Sequence, residues 1–445
     1  MKQSSLFIQL VDKFFAPVVR RFTELVNGKK EAEQLLYKTM LDEEYSPDLK
    51  WESSELNGSI VAADIVALDS SLPLKKRDTL KSAVGKIPKL GMKLRKDETD
   101  IINLNIMLST NAGEQTVARK LLNDVPRVIS GVEHRLEVMF QQGLSTGLTL
   151  VTADDTNGTG VRADFGYKEE NIFHCTAGAW GSGAEEPIDD IQQLADKAAQ
   201  DGKNLALIML SKAYFDILRK STKGKLLVAN NNGQTVTNLD TLGKPTPSQM
   251  LEALEAEFSV PFRVVSSSFV IEHADGSRET IRPWEQANVV GLTSTKVGRL
   301  VYGRVAEEIS PVAGVSYEKS GSYILVSKFS ENEPLEEFTT SQAFALPVID
   351  GGNSVYVLHA DATGDELTTD VAGVEFGKAA GSKDVDIHYD GDEKLTATSN
   401  ADWATVKLVR DKLKITVTAN EGEARNGVVT ITDGTLSTTV TVSQE

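Results

Sequence analysis

Cysteine is nearly absent. Cys175 is the only one in 445 residues, so the chain forms no internal disulfide, and five histidines leave little material for a structural zinc site. Such usage suits a reducing cytoplasm. Long apolar runs are missing too: no window approaches the roughly eighteen residues that a membrane-spanning helix needs. Near the N-terminus Phe7, Leu10, Val11, Phe14, Phe15, Val18, Val19 and Phe22 are interrupted by Asp12, Lys13, Arg20 and Arg21, which excludes the apolar core of a signal peptide. The first residue is Met1, and no N-terminal segment is expected to have been cut away. Basic charge is short: 47 Lys and Arg against 64 Asp and Glu leave a net charge of -17, which excludes wholesale phosphate neutralisation as a way of binding. No G-x-x-x-x-G-K-[ST], H-E-x-x-H or G-x-S-x-G motif occurs. What is present, 40% hydrophobic and 25% charged residues, is enough to bury a core in two or three domains.

Charge and proline divide the chain. Residues 1–100 carry +1, residues 362–445 carry -7, and residues 101–361 carry the remaining -11. Within the first hundred, Lys75, Lys76, Arg77, Lys81, Lys86, Lys89, Lys93, Arg95 and Lys96 face only Asp78, a local charge of +8 in 22 residues. All thirteen prolines lie between Pro17 and Pro347. From Ala362 on, 14 of 84 residues are threonine, and alternating runs such as Lys412 to Thr418 and Thr438 to Val442 predict half-buried strands of a separate β-sandwich.

Ahead of that sandwich, residues 5–45 are amphipathic and interrupted at Pro17, which predicts two helical pieces in an N-terminal arm. Residues 49–100 alternate and turn at Asn57-Gly58, Pro73, Pro88 and Gly91, as a long two-stranded excursion would. Residues 112–146 place Val117, Leu121, Val125, Ile129, Val132, Leu136, Met139 and Phe140 on one helical face, a helix of roughly 50 Å that Pro126 either kinks or divides. Strands are expected at 148–151, 160–167 and 171–179, with a turn at Asp154 to Gly158. A mixed region follows: helix 188–200, strand 205–210, helix 212–220, and a helix opened by Thr246-Pro247 and reaching Phe258. Residues 262–271 and 278–281 read as a hairpin around Ala274-Asp275-Gly276.

Candidate chemistry is thin. Gly158-Thr159-Gly160-Val161-Arg162-Ala163 fits a loose G-x-G-x-x-A, but a strand follows where a dinucleotide fold needs a helix. His174 and Cys175 are strand neighbours that point to opposite faces, so they read as structural. Asp386, Asp390, Asp392 and Glu393 around Gly391 miss the spacing of a calcium loop. Neither metal nor cofactor is expected. The basic stretch has three readings: a solvated face, an arm lying on the acidic surface of another copy, or a contact with packaged nucleic acid. The apolar face of Phe7, Phe14, Phe15 and Phe22 also needs a cover: its own domain, a neighbouring subunit or assembly partner, or a membrane surface.

The order of arm, excursion, long helix, strands and mixed α/β region resembles the tailed-phage major capsid fold of the Hong Kong ninety-seven type. Tyr302-Gly303-Arg304-Val305-Ala306-Glu307, Asn332-Glu333-Pro334 and Leu346-Pro347-Val348 look like the closing portion of the phage major capsid protein E family. The resemblance implies an α+β fold with an N-terminal arm (1–48), an E-loop (49–111), a spine helix (112–146), a peripheral domain (147–184 and 305–361) and an axial domain (185–304). The tail, 362–445, resembles the BACON-type immunoglobulin-like module. Trp403, the run from Asn420 through Arg425 to Gly427, and the ending Val440-Thr441-Val442-Ser443-Gln444 carry that likeness. Here Asn420 is expected to cap a turn and Arg425 to pair with nearby acids, while Trp403 is either core or a platform for a sugar.

These resemblances imply a major capsid protein without catalysis, assembling as pentamers and hexamers into an icosahedral shell around double-stranded DNA, without sequence-specific binding. Lys75 to Lys96 would touch neighbouring subunits through the E-loop. Some relatives crosslink lysine to asparagine there, but no catalytic carboxylate for that step is identified in this sequence. Portal and scaffold proteins are the expected partners, the virion the expected location, and the host cytoplasm the site of assembly. The tail would sit outside, bracing capsomers or adhering weakly to glycans in many copies. Rival readings are a phage tail-tube or sheath subunit, and a carbohydrate-active enzyme with a binding module.

Overall fold

Alternating strands and amphipathic helices sort the chain into an α+β body and an all-β module. The computed structural model describes residues 3–29, 34–54, 82–110, 113–151, 161–234, 242–273, 276–350, 352–361, 367–371, 373–389, 395–409, 412–432 and 437–445. The turn at 154–158 with Gly158 and Gly160, the residues Ala274 and Asp275, and Asp390, Gly391, Asp392 and Glu393 lie outside them. Two units separate: Met1–Phe173 with Glu186–Ala360, and His174–Glu185 with Asp361–Glu445.

In the first unit α1 (Ile8–Asn27) and α2 (Leu36–Met40) precede β1 (Leu41–Tyr45), β2 (Lys50–Ser54), β3 (Ser82–Lys86) and β4 (Lys89–Lys96). Then come α3 (Glu98–Ser109), α4 (Glu114–Leu121), α5 (Val125–Thr146), β5 (Leu148–Val151), β6 (Val161–Asp164) and β7 (Ile172–His174). The mixed region holds α6 (Pro187–Gln200), β8 (Leu207–Ser211), α7 (Lys212–Leu218), α8 (Thr222–Asn231) and α9 (Pro247–Phe258). It continues through β9 (Phe262–Val265), β10 (Phe269–Glu272), β11 (Arg278–Ile281), β12 (Asn288–Leu292) and β13 (Gly298–Gly303). The unit closes with α10 (Ala306–Ile309), β14 (Ser316–Ser320), β15 (Ile324–Glu331), β16 (Glu336–Ile349) and β17 (Val355–His359).

Six strands form the main sheet in the order β1-β13-β16-β15-β14, with β4 beside β16. The fourteen-residue β16 is long enough to be shared: residues 337–344 pair with β4 and residues 344–349 with β13. α5 packs on β16 and β4, burying Val128, Ile129, Leu136, Phe140 and Leu144. The helix expected over 112–146 is therefore two helices. Residues 122–124 separate α4 from α5, and Pro126 falls in the first turn of α5, where its missing N–H costs no bond. The 22 residues of α5 span about 33 Å.

Pro17, in contrast, breaks nothing, because α1 runs through it. Pro17 is on the exposed side of the helix, so the Lys13 carbonyl that loses its backbone partner lies toward solvent, while Leu10, Val11, Phe15 and Val19 hold the opposite face in the core. A second sheet, β7-β17-β12-β8-β9, carries the mixed region; β8 and β12 are buried throughout. The strand expected over 262–271 is split by Ser266-Ser267-Ser268: β9 joins this sheet, whereas β10 pairs with β11.

The second unit contains β18 (Leu367–Thr369), β19 (Gly373–Phe376), β20 (Gly381–Tyr389), β21 (Thr396–Ser399), β22 (Ala404–Val409), β23 (Lys412–Val417), β24 (Arg425–Thr432) and β25 (Ser437–Gln444). They make two four-stranded sheets, β18-β20-β23-β22 and β19-β25-β24-β21. Strict alternation turns Leu413, Ile415, Val417, Val429, Ile431, Val440 and Val442 inward as the core.

Candidate assembly surfaces

The basic stretch does not form one arm. Lys75, Lys76, Arg77 and Lys81 lie outside the described residues, while Lys86 ends β3 and Lys89, Lys93, Arg95 and Lys96 belong to β4 in the main sheet. β2 and β3 pair antiparallel from Lys50 with Lys86 to Ser54 with Ser82 and form the root of the excursion. Trp51 anchors that root. It is buried, stands opposite Gly85, and approaches the Phe165 ring at 6.1 Å between centroids. A side chain at position 85 would collide with the indole, so glycine is what allows this close approach.

Along β4 the period of two decides which cations remain outside. Lys89, Lys93 and Arg95 are exposed; Leu90, Met92, Leu94 and Lys96 share the other face. Lys93 lies 3.7 Å from the Phe338 ring centre and 3.7 Å from the Glu331 carboxylate, and Arg95 meets Glu336 at 2.7 Å. Lys96, expected among the intersubunit contacts, is placed differently from the other three: it is buried, and its ammonium donates to Asn123 at 2.7 Å and meets Asp124 at 2.8 Å within the same chain. The inward row of Leu90, Met92 and Leu94 was the signal that would have found it.

The apolar face of the N-terminal arm packs on its own chain, one of the three covers open to it. Phe7 and Phe15 are buried, and Phe14 and Phe22 pack half-buried against the same core. Polar groups clamp the preceding residues. Gln3 bridges Ser330, the Ser330 hydroxyl donates to the Ser4 carbonyl at 2.6 Å, and Glu337 accepts from the Ser5 hydroxyl and from Leu6 N–H at 3.2 Å. Glu337 has no exposed surface and faces the equally buried Lys328 at 3.5 Å. Burial pushes the Lys328 ammonium down to about 8 against the opposing pull of Glu337.

A polar seam along α5 escaped the sequence reading. Glu133, Glu137, Gln141 and Ser145 repeat every fourth residue and are all buried. Glu133 meets Lys38 at 2.6 Å, and Glu137 accepts from Tyr37 N–H at 3.0 Å and from the Gln141 amide at 2.6 Å. Gln141 also donates to the Ser267 hydroxyl at 2.7 Å; Ser145 accepts from Glu285 N–H at 3.0 Å and, through its carbonyl, from Asn288 at 2.8 Å. The seam thus ties the N-terminal arm at one end of α5 and the mixed region at the other to a single helix. Burial holds the Glu137 carboxyl above its ordinary range.

In the second unit the motif residues form one lock. Asn420 donates to the carbonyls of Glu423 at 2.7 Å and Glu445 at 2.9 Å and accepts from Gly422 N–H, capping the turn as expected. Among the described residues Arg425 meets no acid; it donates to Gln444 at 2.8 Å and to the Thr418 carbonyl at 2.8 Å, and its guanidinium lies 4.4 Å from the Trp403 ring centre. Gln444 in turn donates to the carbonyls of Gly377 and Thr418. Trp403 is half-buried against the sandwich core with Arg425 over its ring.

A six-stranded sheet with α5 packed across β16 and β4, and the paired strands β2 and β3 rooted beside it, make up the frame of the first unit. The chain belongs to the phage major capsid protein E family, whose model matches residues 19–270. That match leaves out residues 302–348, which hold the three segments that resemble the family's closing portion. The BACON family model matches residues 393–445. Among solved structures, the chain is similar to a prophage capsid protein from Escherichia coli CFT073, at 14% identity over 77% of this chain and 98% of that one with a TM-score of 0.46. It is also similar to a phage-related protein from Bordetella bronchiseptica RB50, at 13% identity over 78% and 97% with a TM-score of 0.44. A third likeness is to the mature capsid of bacteriophage PhiM1, at 12% identity over 73% and 86% with a TM-score of 0.34. No curated protein matches the chain. Its role is structural, in a capsid shell, and its place is the virion. No helix among the described residues is long and apolar enough to cross a membrane.

Proposed function

We propose that this chain is the major capsid protein of a tailed phage, assembling as pentamers and hexamers into an icosahedral head around double-stranded DNA. The family match over 19–270 supports this reading most. In that shell residues 1–48 are the N-terminal arm, 49–111 the E-loop, 112–146 the spine, 147–184 with 305–361 the peripheral domain, and 185–304 the axial domain. Residues 362–445 form an outer module that braces capsomers. The chain does no catalysis, assembles in the host cytoplasm with portal and scaffold proteins, and holds DNA without reading its sequence. Lys75, Lys76, Arg77, Lys81, Lys86, Lys89, Lys93 and Arg95 contact neighbouring subunits; Lys96 is left out because its own chain pairs it. Weak glycan adhesion through Trp403 is the less supported part, since Arg425 covers the ring.

Expression of the chain with its neighbouring phage genes, followed by sedimentation velocity and negative-stain electron microscopy, tests this. Closed shells, or free pentamers and hexamers, are expected; a stable monomer refutes the reading, and open tubes assign the chain to a tail. Reversing the charge of Lys75, Lys76 and Arg77 together is expected to leave a folded monomer that builds no shell. Normal shells from that variant refute the intersubunit role of those residues.

A further inference from the structure

α3 carries no charged residue after Asp100, and none follows until Glu114, in a chain where a quarter of the residues are charged. It packs on α4, β4 and β16 with Ile101 and Leu104 buried. Ile102 and Ile106, one turn apart on the other side, are 57% and 52% exposed, and Leu108 is 38% exposed. An uncharged helix face with two outward isoleucines is the surface of something meant to be covered. Its surroundings indicate by what. β4 leads through Asp97 into α3 and exposes Lys89, Lys93 and Arg95, so a basic strand precedes the apolar helix. Residues 75–96 hold +8 of a net -17, which leaves the rest of the chain at -25.

We infer that the α3 face, with Ile102 and Ile106 at its centre and Lys89, Lys93 and Arg95 on the strand that leads into it, docks on the acidic surface of a second copy of this chain. The inference rests on the capsid reading above. A basic strand is drawn to a strongly acidic partner, and another subunit of a shell is such a partner at the highest local concentration. Because the patch and its acidic receiver are different surfaces of the same molecule, the contact is head-to-tail, the kind that closes rings. Two isoleucines cover far less than the roughly 800 Å² per partner of a stable interface, so α3 acts as an apolar anchor within a wider contact.

The test compares the wild-type chain with I102E/I106E, each expressed with the neighbouring phage genes and read by sedimentation velocity, electron microscopy and circular dichroism. The variant is expected to keep the wild-type spectrum and melting profile and to form no shells; shells in wild-type yield overturn the inference. Should the glutamates prevent folding, I102S/I106S removes apolar area alone and is expected to raise the protein concentration needed for assembly about tenfold or more. An unchanged threshold overturns the inference. Shells that form normally but lose a co-purifying phage protein would give the face to that protein, and also overturn it. Failure of the wild-type chain to assemble is a separate result, which removes the capsid reading itself and the inference with it.

Discussion

Glu137 offers the sharpest test of the seam along α5. Its carboxylate serves three buried donors: the Gln141 amide, Tyr37 N–H and Leu36 N–H. The last two open α2, whose N-cap residue, Leu35, makes no side-chain cap bond, so a side chain from another helix caps it. Glu137→Ala leaves those donors without an acceptor at about 1–3 kcal/mol each, offset in part by relief of the buried charge, for a net loss of about 2–4 kcal/mol. Glu137→Gln keeps the volume and one acceptor oxygen and is expected to cost about 1–2 kcal/mol. The pH dependence separates the two roles. Burial raises the Glu137 pKa in the folded state, so its contribution is fully present below the unfolded value and is lost as pH rises through the folded one. Wild type should therefore gain on Glu137→Gln as the pH falls through the folded value toward the unfolded one. His134, whose pKa burial lowers, has the opposite trend but is common to both proteins. Urea unfolding of the unassembled chain, followed by far-ultraviolet circular dichroism across that range, measures the difference. Parallel pH curves, or an alanine variant within about 1 kcal/mol of wild type, would refute the reasoning.

Gly85→Ala places a methyl group 2.5 Å from the Trp51 indole nitrogen and is expected to cost about 1–3 kcal/mol in urea unfolding, with Trp51→Leu in the same chain recovering part of it. Lys328→Met leaves Glu337 buried without its cation and should cost about 3–5 kcal/mol, whereas Lys328→Met with Glu337→Leu should cost less than that single change. Equal losses in the single and double variants would show that the pair is not a unit. Arg425→Ala removes the bonds to Gln444 and Thr418 and the contact with Trp403, about 1–3 kcal/mol in all. Hydrogen exchange should quicken in β23 to β25 and stay unchanged in α5; uniform protection would deny the lock.

Where local chemistry decided the structure, the sequence was readable. Thr246 caps α9 with Gln249 returning the bond and Pro247 in the first turn, and the helix ends at Phe258 as expected. The sandwich strands followed from alternation, and Asn420 caps its turn. What sequence could not show is which partner a polar group meets across the fold. Glu133, Glu137, Gln141 and Ser145 look like the wet side of an amphipathic helix until Lys38, Tyr37, Ser267 and Asn288 arrive from residues up to 143 positions away. The same limit explains Pro17 and Pro126. Both interrupt a helical pattern, yet tertiary packing carries α1 through the first, and α5 starts at the second.

The basic stretch shows why a charge count needs a direction before it becomes an interface. Nine cations within 22 residues read as one positive arm, but a strand has two sides, and β4 turns Lys96 inward to Asp124 while Lys89, Lys93 and Arg95 stay out. Pairing of Lys93 with Glu331 and of Arg95 with Glu336 then neutralises part of that outer row within the chain. Exposed pairs of this kind contribute about 0–1 kcal/mol and exchange partners readily, so those cations remain usable by a neighbouring subunit, whereas Lys96 does not. The uncharged turns of α3 add what charge alone lacks, an apolar area whose burial survives at salt concentrations that screen the cations. If that division holds, raising salt should slow the association of subunits more than it loosens shells already formed.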